Sequence, residues 1–250
     1  MFKNQKKIWI TGASSGIGKA LALKFAKENW QVAISARRKE LLDEIAQNEN
    51  IKSFPLDVTD DRKVSEVFSN ILGEFKDLDL CVLCSGAYDP KLEQEINPQQ
   101  IRKIMNVNFF GVLNCIKAIE NYFKSKKGGH ISIVSSIAAY RGLPNSSGYG
   151  PSKAALTNLT ESLYFDFKKH DVRISLVSPG FIKTPLTDKN NFKMPFIKSP
   201  EYAAVKMYKG LIKSNNFEIA FPKALTTILK IFRILPYRLY LFLIDKGVKR

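Results

Sequence analysis

Histidine and cysteine are scarce in this chain of 250 residues, which carries two of the first and three of the second. Cys81, Cys84 and Cys115 leave one thiol over in any pairing scheme, so a disulfide framework is excluded and a reducing, cytoplasmic setting is expected. Cys81-x-x-Cys84 has the spacing of a redox or zinc pair. It lies inside the apolar run Leu80-Cys81-Val82-Leu83, however, and no second pair completes four ligands, so both are read as small buried hydrophobes. His130 and His170 are far apart, each just ahead of an expected strand, and no metal centre is expected. No apolar leader precedes the first strand pattern, no apolar run is long enough to span a bilayer, and neither an internal repeat nor a low-complexity tract stands out.

Acidic residues are few as well: 23 Asp and Glu face 39 Lys and Arg, for a net charge of +16. Such a field attracts phosphates, anionic lipid or acidic proteins, although a general lysine bias gives the same figure with no partner at all. No helix-turn-helix and no basic motif interleaved with aromatics accompanies the charge, so no specific nucleic acid is expected.

What is present is alternation. Short apolar, β-branched runs recur at Lys7 to Ile10, Val32 to Ser35, Ile51 to Phe54, Leu80 to Leu83, Ile131 to Val134, Arg173 to Val177 and Glu218 to Ala220, with helical patterns between them. Parallel neighbours need long crossovers, and both faces of their sheet must be covered. The expectation is therefore an α/β protein: a Rossmann-like doubly wound sheet of about seven mainly parallel strands with helices on both faces, in a single domain over residues 1–250. The first helix is expected to begin near Gly16 and to end at Asn29. A long one runs from Pro98 to Phe123 before Gly128-Gly129, and another from Ser152 to Lys169 holds Lys153 in its first turn.

Two motifs carry chemistry. Thr11-Gly12-Ala13-Ser14-Ser15-Gly16-Ile17-Gly18 follows the first strand directly, where a strand-to-helix turn without side chains lets backbone N–H groups and a helix N-terminus approach a pyrophosphate. At the other end, four tyrosines are followed four residues later by lysine, but only Tyr149 with Lys153 also has a serine, Ser136, thirteen residues upstream. A phenol with a pKa of about 10 is poorly matched to neutral pH, and an ammonium one helical turn away favours its phenolate. Tyr149 thus suits a proton donor to a carbonyl oxygen, and Ser136 suits a hydrogen bond that orients that oxygen.

With these residues in order, and with Asp57-Val58, Val107-Asn108-Phe109-Phe110-Gly111 and Pro179-Gly180 leading to Thr184, the chain from about Lys7 to Pro185 resembles the short-chain dehydrogenase/reductase family. The resemblance implies a nicotinamide cofactor held by Gly12, Ser14, Ser15, Gly16, Ile17 and Gly18, with Asp57 on the adenine amino group and Val58 on its ring face. It implies that Asn108 supports a water linking Lys153 to solvent, that Lys153 binds the nicotinamide ribose with Tyr149 also at the cofactor, and that Ile182 and Thr184, after the turn at Pro179 and Gly180, hold the carboxamide. Where an NAD enzyme usually places an acid after the second strand, this chain has Ala36 followed by Arg37 and Arg38. Arg37 is expected to receive a 2′-phosphate, which prefers NADP(H) while leaving NAD(H) open. Arg38 is read as the solvated start of a helix. One departure stands where Asn-Asn-Ala-Gly is usual: Cys84-Ser85-Gly86-Ala87 lacks the amide that ties neighbouring strands, so a less secure loop is expected.

The expected activity is interconversion of a small hydrophobic ketone or aldehyde with its alcohol, with Asn108, Ser136, Tyr149 and Lys153 as catalytic residues. A 3-oxoacyl-(acyl-carrier-protein) reductase is the alternative enzyme, and a noncatalytic NADP(H) sensor the alternative of another class. By resemblance, residues 185–200 cover the substrate, with Phe192, Met194, Phe196 and Ile197 suited to a lipophilic ligand, and the protein forms a homo-oligomer. The segment 222–246 sets Ile228, Phe232, Leu235, Leu239 and Phe242 among basic residues, with Pro236 expected to break its helix. Docking on an anionic membrane, at the inner face of a cell membrane, and packing on a sister subunit or over the cleft are both open for it.

Overall fold

The computed structural model describes residues 5–90, 95–192 and 194–247. All seven expected strands form: β1 (Lys7–Thr11), β2 (Gln31–Ser35), β3 (Ile51–Ser53), β4 (Leu80–Leu83), β5 (His130–Val134), β6 (Arg173–Pro179) and β7 (Glu218–Phe221). They make one sheet in the order β3-β2-β1-β4-β5-β6-β7, with every neighbouring pair parallel. Thr11 pairs with both Ser35 and Leu83, so the C-terminal ends of β1, β2 and β4 lie side by side where the strand order reverses. A crevice at such a switch point is where open α/β sheets take ligands.

The connecting helices are α1 (Gly16–Lys27), α2 (Lys39–Ile45), α3 (Asp61–Phe75), α4 (Pro98–Met105), α5 (Gly111–Lys126), α6 (Tyr149–Lys168) and α7 (Pro200–Lys213), followed by α8 (Lys223–Ile234) and α9 (Tyr237–Gly247). Alternate side chains of each strand enter opposite cores. Ile8 and Ile10 join Phe25 of α1 and Met207 of α7 on one face, while Trp9 joins Phe68 of α3 and Ile116 of α5 on the other. Strands covered on both faces are rich in apolar residues on both sides, and the few polar residues in them, such as Ser132 and Ser175, are buried and bonded to each other. Full enclosure of Phe25 and Phe123 contributes about 1.5–3 kcal/mol apiece. The same geometry separates Cys81 from Cys84: the first packs in the α3–α5 core and the second against the α1–α7 core. Burial raises the Cys84 thiol to about 11 and the Cys115 thiol to about 12, and burial with Cys115 nearby raises that of Cys81, so all three are inert hydrophobes.

Local signals set most helix ends. Asp60, Asn97 and Ser199 accept the backbone N–H three residues on at the starts of α3, α4 and α7, and Pro98 and Pro200 occupy first-turn positions. Asn29 follows α1 with φ 61°, the left-handed conformation of a C-terminal cap. Two boundaries differ from expectation. The helix from Pro98 runs on to Lys126 but is interrupted by a π turn at Asn106–Phe110, where the Gly111 N–H reaches the carbonyl of Asn106. The helix expected from Ser152 begins at Tyr149 instead, which puts Tyr149 at its first position and Lys153 in its second turn. Pro236 does separate two helices, α8 and α9. Among the described residues no helix is long and apolar enough to cross a membrane.

Candidate active site

The glycine turn is forced by crowding. Gly12 has φ +68°, and a Cβ there would stand 2.8 Å from the carbonyl oxygen of Cys84, so no other residue allows β1 and β4 to end this close together. A Cβ on Gly18 would meet the Gly12 oxygen at 2.4 Å, which lets α1 close down on the turn. Ser15 caps α1 with extended backbone but its side chain makes no capping bond to the helix N–H groups, and no acid lies in the first turn. The N–H groups and positive end of α1 therefore face the crevice without an internal anion, and the donor set fits a pyrophosphate.

Around this turn the structure places the other cofactor-binding candidates as follows. Ile17 packs against the α1–α7 core, and Thr184 sits where a Cβ on Gly16 would meet its methyl at 3.0 Å. Arg37 is exposed beyond the end of β2. Arg38, read as a solvated helix start, turns back: its Nη2 donates to Ser14 Oγ at 2.8 Å and Ser15 Oγ at 3.0 Å. That role requires the turn and α2 to meet across the crevice, which local patterning does not report. Asp57 accepts from the backbone and hydroxyl of Thr59, holding the turn after β3, and Val58 is buried against Gly111. Pro179 ends β6, Gly180 donates to the carbonyl of Phe221 at 2.7 Å, and Ile182 is buried at a parallel bridge to Lys198.

The loop after β4 is held firmly, against expectation. Thr11 Oγ1 accepts from the N–H of Cys84 at 3.1 Å and of Ser85 at 3.4 Å. Asn108 takes the N–H of Ala87 on its Oδ1 at 2.6 Å and donates from Nδ2 to the Ala87 carbonyl at 3.0 Å. The substitutes for the missing amide thus come from β1 and from the π turn. Asn108 also donates to Ser152 Oγ at 3.0 Å, and Ser152 in turn donates to the Tyr149 carbonyl at 2.7 Å. A π turn at a fully buried Asn108 aims its amide at two segments at once.

Lys153 is buried, and its Nζ donates to the carbonyl of Val134 at 2.9 Å. Burial pulls its ammonium down to about 8. The Nζ lies 5.8 Å from the centroid of the Tyr149 ring, and a Cβ on Gly86 would stand 3.6 Å from it and 3.7 Å from Asn108 Oδ1. Gly86 is therefore the open wall over which Lys153 and Asn108 meet. Ser136 caps the short 3₁₀ turn Ile137–Ala139, accepting the Ala138 N–H at 3.1 Å, and the Ala138 carbonyl packs near Gly150 in the first turn of α6. Ser135 donates to the Lys153 carbonyl at 2.8 Å, which makes it a brace for α6. Tyr88, which no sequence signal singled out, sets its ring 4.8 Å from that of Tyr149 at 50°.

The segment from Pro185 leaves and returns over the bridge between Ile182 and Lys198. Lys189 pairs with Asp89 at 3.2 Å, tying this segment to the loop after β4, and Phe192 lies edge-on to Phe181 at 5.9 Å. Met194 Sδ accepts from Asn190, whereas Phe196 and Ile197 are exposed. Neither histidine approaches the site: His130 begins β5, bonded to Ser175 Oγ at 2.7 Å, and burial with Arg173 nearby lowers its imidazole to about 3. Among the described residues no cluster suits a metal ion.

A glycine turn at the switch point and a helix N-terminus with no internal anion suit a dinucleotide pyrophosphate, and across the crevice Tyr149 has a buried lysine one turn on. The short chain dehydrogenase family profile matches residues 6–195, and the chain belongs to that family. It is 33% identical to an uncharacterized oxidoreductase of Myxococcus xanthus over 92% of this chain and 93% of that one. It is 31% identical to the 3-oxoacyl-[acyl-carrier-protein] reductase of Thermotoga maritima over 72% of this chain and 75% of that protein. A short chain dehydrogenase from Burkholderia cenocepacia in complex with NADP superimposes with a TM-score of 0.82 at 27% identity, covering 98% of this chain and all of that one.

Proposed function

We propose that residues 1–250 form a single catalytic domain that interconverts a hydrophobic ketone or aldehyde and its alcohol, using NADP(H) in preference to NAD(H). The observation that carries the proposal is the buried Lys153 ammonium beside the Tyr149 ring, with Asn108 across Gly86. The glycine turn and Arg37 would hold NADPH, which would supply the hydride for the new C–H bond. Tyr149 gives its hydroxyl proton to the carbonyl oxygen as that bond forms. Ser136, whose oxygen already accepts from Ala138, keeps its own O–H to donate to the same oxygen and fix its direction. Lys153 stabilises the phenolate by its charge and restores its proton. Val134 takes one of its three N–H donors, and the others would be free to hold the ribose hydroxyls of the cofactor. Asn108 acts as a positioning residue for Tyr149 through Ser152, and it supports a water leading from Lys153 to solvent.

Cofactor preference rests on Ala36, which brings no carboxylate to repel a 2′-phosphate, and on Arg37 beyond it. Arg38 serves the turn that holds the pyrophosphate. Asp57 and Val58 would hold the adenine, and Ile182 and Thr184 the carboxamide. Exposed Phe110 and Phe165 on the α5–α6 side offer apolar contacts for a homo-oligomer. The similarity to the Thermotoga enzyme and the charge of +16 support a second substrate, a 3-oxoacyl chain on an acidic carrier protein. The test is NADPH oxidation over ketones and aldehydes graded in hydrophobicity, with the native chain and Tyr149→Phe. Turnover that rises with hydrophobicity and vanishes in the variant supports the proposal. Turnover that needs the carrier-bound substrate and collapses in high salt favours the second reading, and tight NADPH binding without any turnover overturns both.

A further inference from the structure

The C-terminal helices α8 and α9 turn large apolar side chains outward while their inner sides are firmly held. Ile228, Ile231 and Ile234 on α8 are 41%, 52% and 81% exposed, and Tyr237, Leu241 and Phe242 on α9 are 75%, 60% and 53% exposed. Beneath them Leu225, Thr226 and Tyr240 are buried. Arg141 Nη1 donates to the carbonyls of Phe232 at 2.8 Å and Leu235 at 2.7 Å, and its guanidinium lies over the rings of Tyr237 and Tyr240 at 4.5 and 4.1 Å. The Tyr240 hydroxyl donates to the Gly142 carbonyl. The outward residues are thus displayed by a docked elbow.

Charge indicates what covers this face. From Lys223 to Lys246 the elbow carries Lys223, Lys230, Arg233, Arg238 and Lys246 against the single acid Asp245, within a chain of net charge +16. Lys230 is satisfied internally by Glu218, whereas Arg233 joins Arg141 and Tyr237 around an open cavity of about 510 Å³ at the bend. On α8 the isoleucines follow one another at three-residue spacing, Lys223 and Lys230 fall on the flank of that stripe, and Arg233 falls on the side of Leu229. A second copy would bring the same basic flank against this one and add like charge to like charge. A surface of anionic headgroups over apolar chains complements both parts, and neither helix is long enough to span it.

We propose that the α8–α9 elbow docks the protein on an anionic lipid bilayer, with Ile231, Ile234, Leu241 and Phe242 in the acyl boundary and Lys223 and Arg238 on headgroup phosphates. Leu225 and Leu229 of α8 pack with Ile137, Tyr140 and Phe181, which follow Ser136 and lead into the covering segment, so the docked face adjoins the cleft. This extends the reading of a hydrophobic carbonyl substrate to one dissolved in the bilayer.

Flotation of the full chain with phosphatidylcholine vesicles, with and without phosphatidylglycerol, tests the docking. Binding at least tenfold stronger to the phosphatidylglycerol vesicles, weakened by salt and at least tenfold by Ile231→Glu with Phe242→Glu, is the expected result. These exposed changes leave thermal melting and NADPH oxidation on a soluble ketone as in the native chain. Absence of vesicle binding by the native chain overturns the proposal. So does a native dimer, seen by sedimentation velocity, that the same variant splits without the native chain binding lipid, because a second copy then covers the face. Vesicle binding without turnover of any carbonyl upholds the docking and overturns only the catalytic reading.

Discussion

Asn108 holds both ends of the Ala87 peptide unit, accepting its N–H at 2.6 Å and donating to its carbonyl at 3.0 Å. The Asn108 side chain is fully buried, so its removal leaves an N–H and a carbonyl of Ala87 without these partners. Each stranded group costs about 1–3 kcal/mol. Asn108→Ala is therefore expected to lower the melting temperature by about 4–12 °C, at roughly 2 °C per kcal/mol for a chain of this length, as read by calorimetry. An unchanged melting temperature would mean that the tie does not secure the loop.

Tyr149 and Ser136 are expected to act on the chemical step and hardly on cofactor binding. Tyr149→Phe lowers kcat about 100- to 10,000-fold, the range for loss of a positioned acid. The dissociation constant of NADPH, read by fluorescence titration, stays within about threefold because one phenol hydroxyl is a small part of the cofactor contact. Ser136→Ala lowers kcat less, by about 10- to 1,000-fold, as expected for one oxygen-orienting donor.

The two arginines after β2 are expected to separate. Arg37→Ala removes a phosphate-matched guanidinium and weakens NADPH about tenfold while NADH changes little. Arg38→Ala frees Ser14 and Ser15 in the turn that both cofactors use, and so weakens both. Titration of each variant with each cofactor distinguishes them. A selective loss of NADPH in Arg38→Ala would transfer the 2′-phosphate to Arg38.

Lys153 makes stability rise with pH on the alkaline side. Burial lowers its pKa from the ordinary 10.5 to about 8, so between these values the unfolded chain binds more protons than the folded one. Stability then increases with pH through that window, and below pH 8 the cost of burying the charged form is constant. Lys153→Met removes the titration, so the melting temperature of the native chain is expected to rise relative to that of the variant between pH 8 and 10.5 and to keep a constant offset below pH 8. Parallel curves would show that the ammonium is solvated.

Arg141 is the clasp of the C-terminal elbow, since it spans from the segment after Ser136 to the carbonyls that end α8. Arg141→Ala is expected to expose the Leu235-Pro236 bend to limited proteolysis and to lower the melting temperature. Arg141→Lys does not restore either, because an ammonium lacks the planar fork that reaches two carbonyls while lying over two rings. Native protease resistance in the alanine variant would assign the docking to Tyr240 and Leu225 alone.

Much of this architecture was legible before any coordinates. Short runs rich in apolar residues marked all seven strands, because the strands inside the sheet are covered on both faces. Asn29 and Pro236 marked two helix ends, because backbone conformation at these residues is a local property. The beginning of α6 at Tyr149 was less legible, since Gly148, which precedes it, carries no capping side chain. The π turn was not legible at all. An asparagine in a helical pattern signals only a poor helix former, whereas the turn follows from what Asn108 bonds on both sides.

The chain by itself determined the strand and helix alternation, the glycine turn, and the spacing of Ser136, Tyr149 and Lys153, because these depend on neighbours within a few residues or on fixed helical geometry. Only the tertiary structure decided that Arg38 turns to Ser14 and Ser15, that Asn108 and Thr11 replace an absent amide around Ala87 and Cys84, and that Arg141 holds a helix end 91 positions away. Each of these joins segments that meet only after the sheet has ordered its strands. The polar groups then bond whatever partner the packing brings within reach, since a buried donor or acceptor left alone costs more than the bond itself contributes.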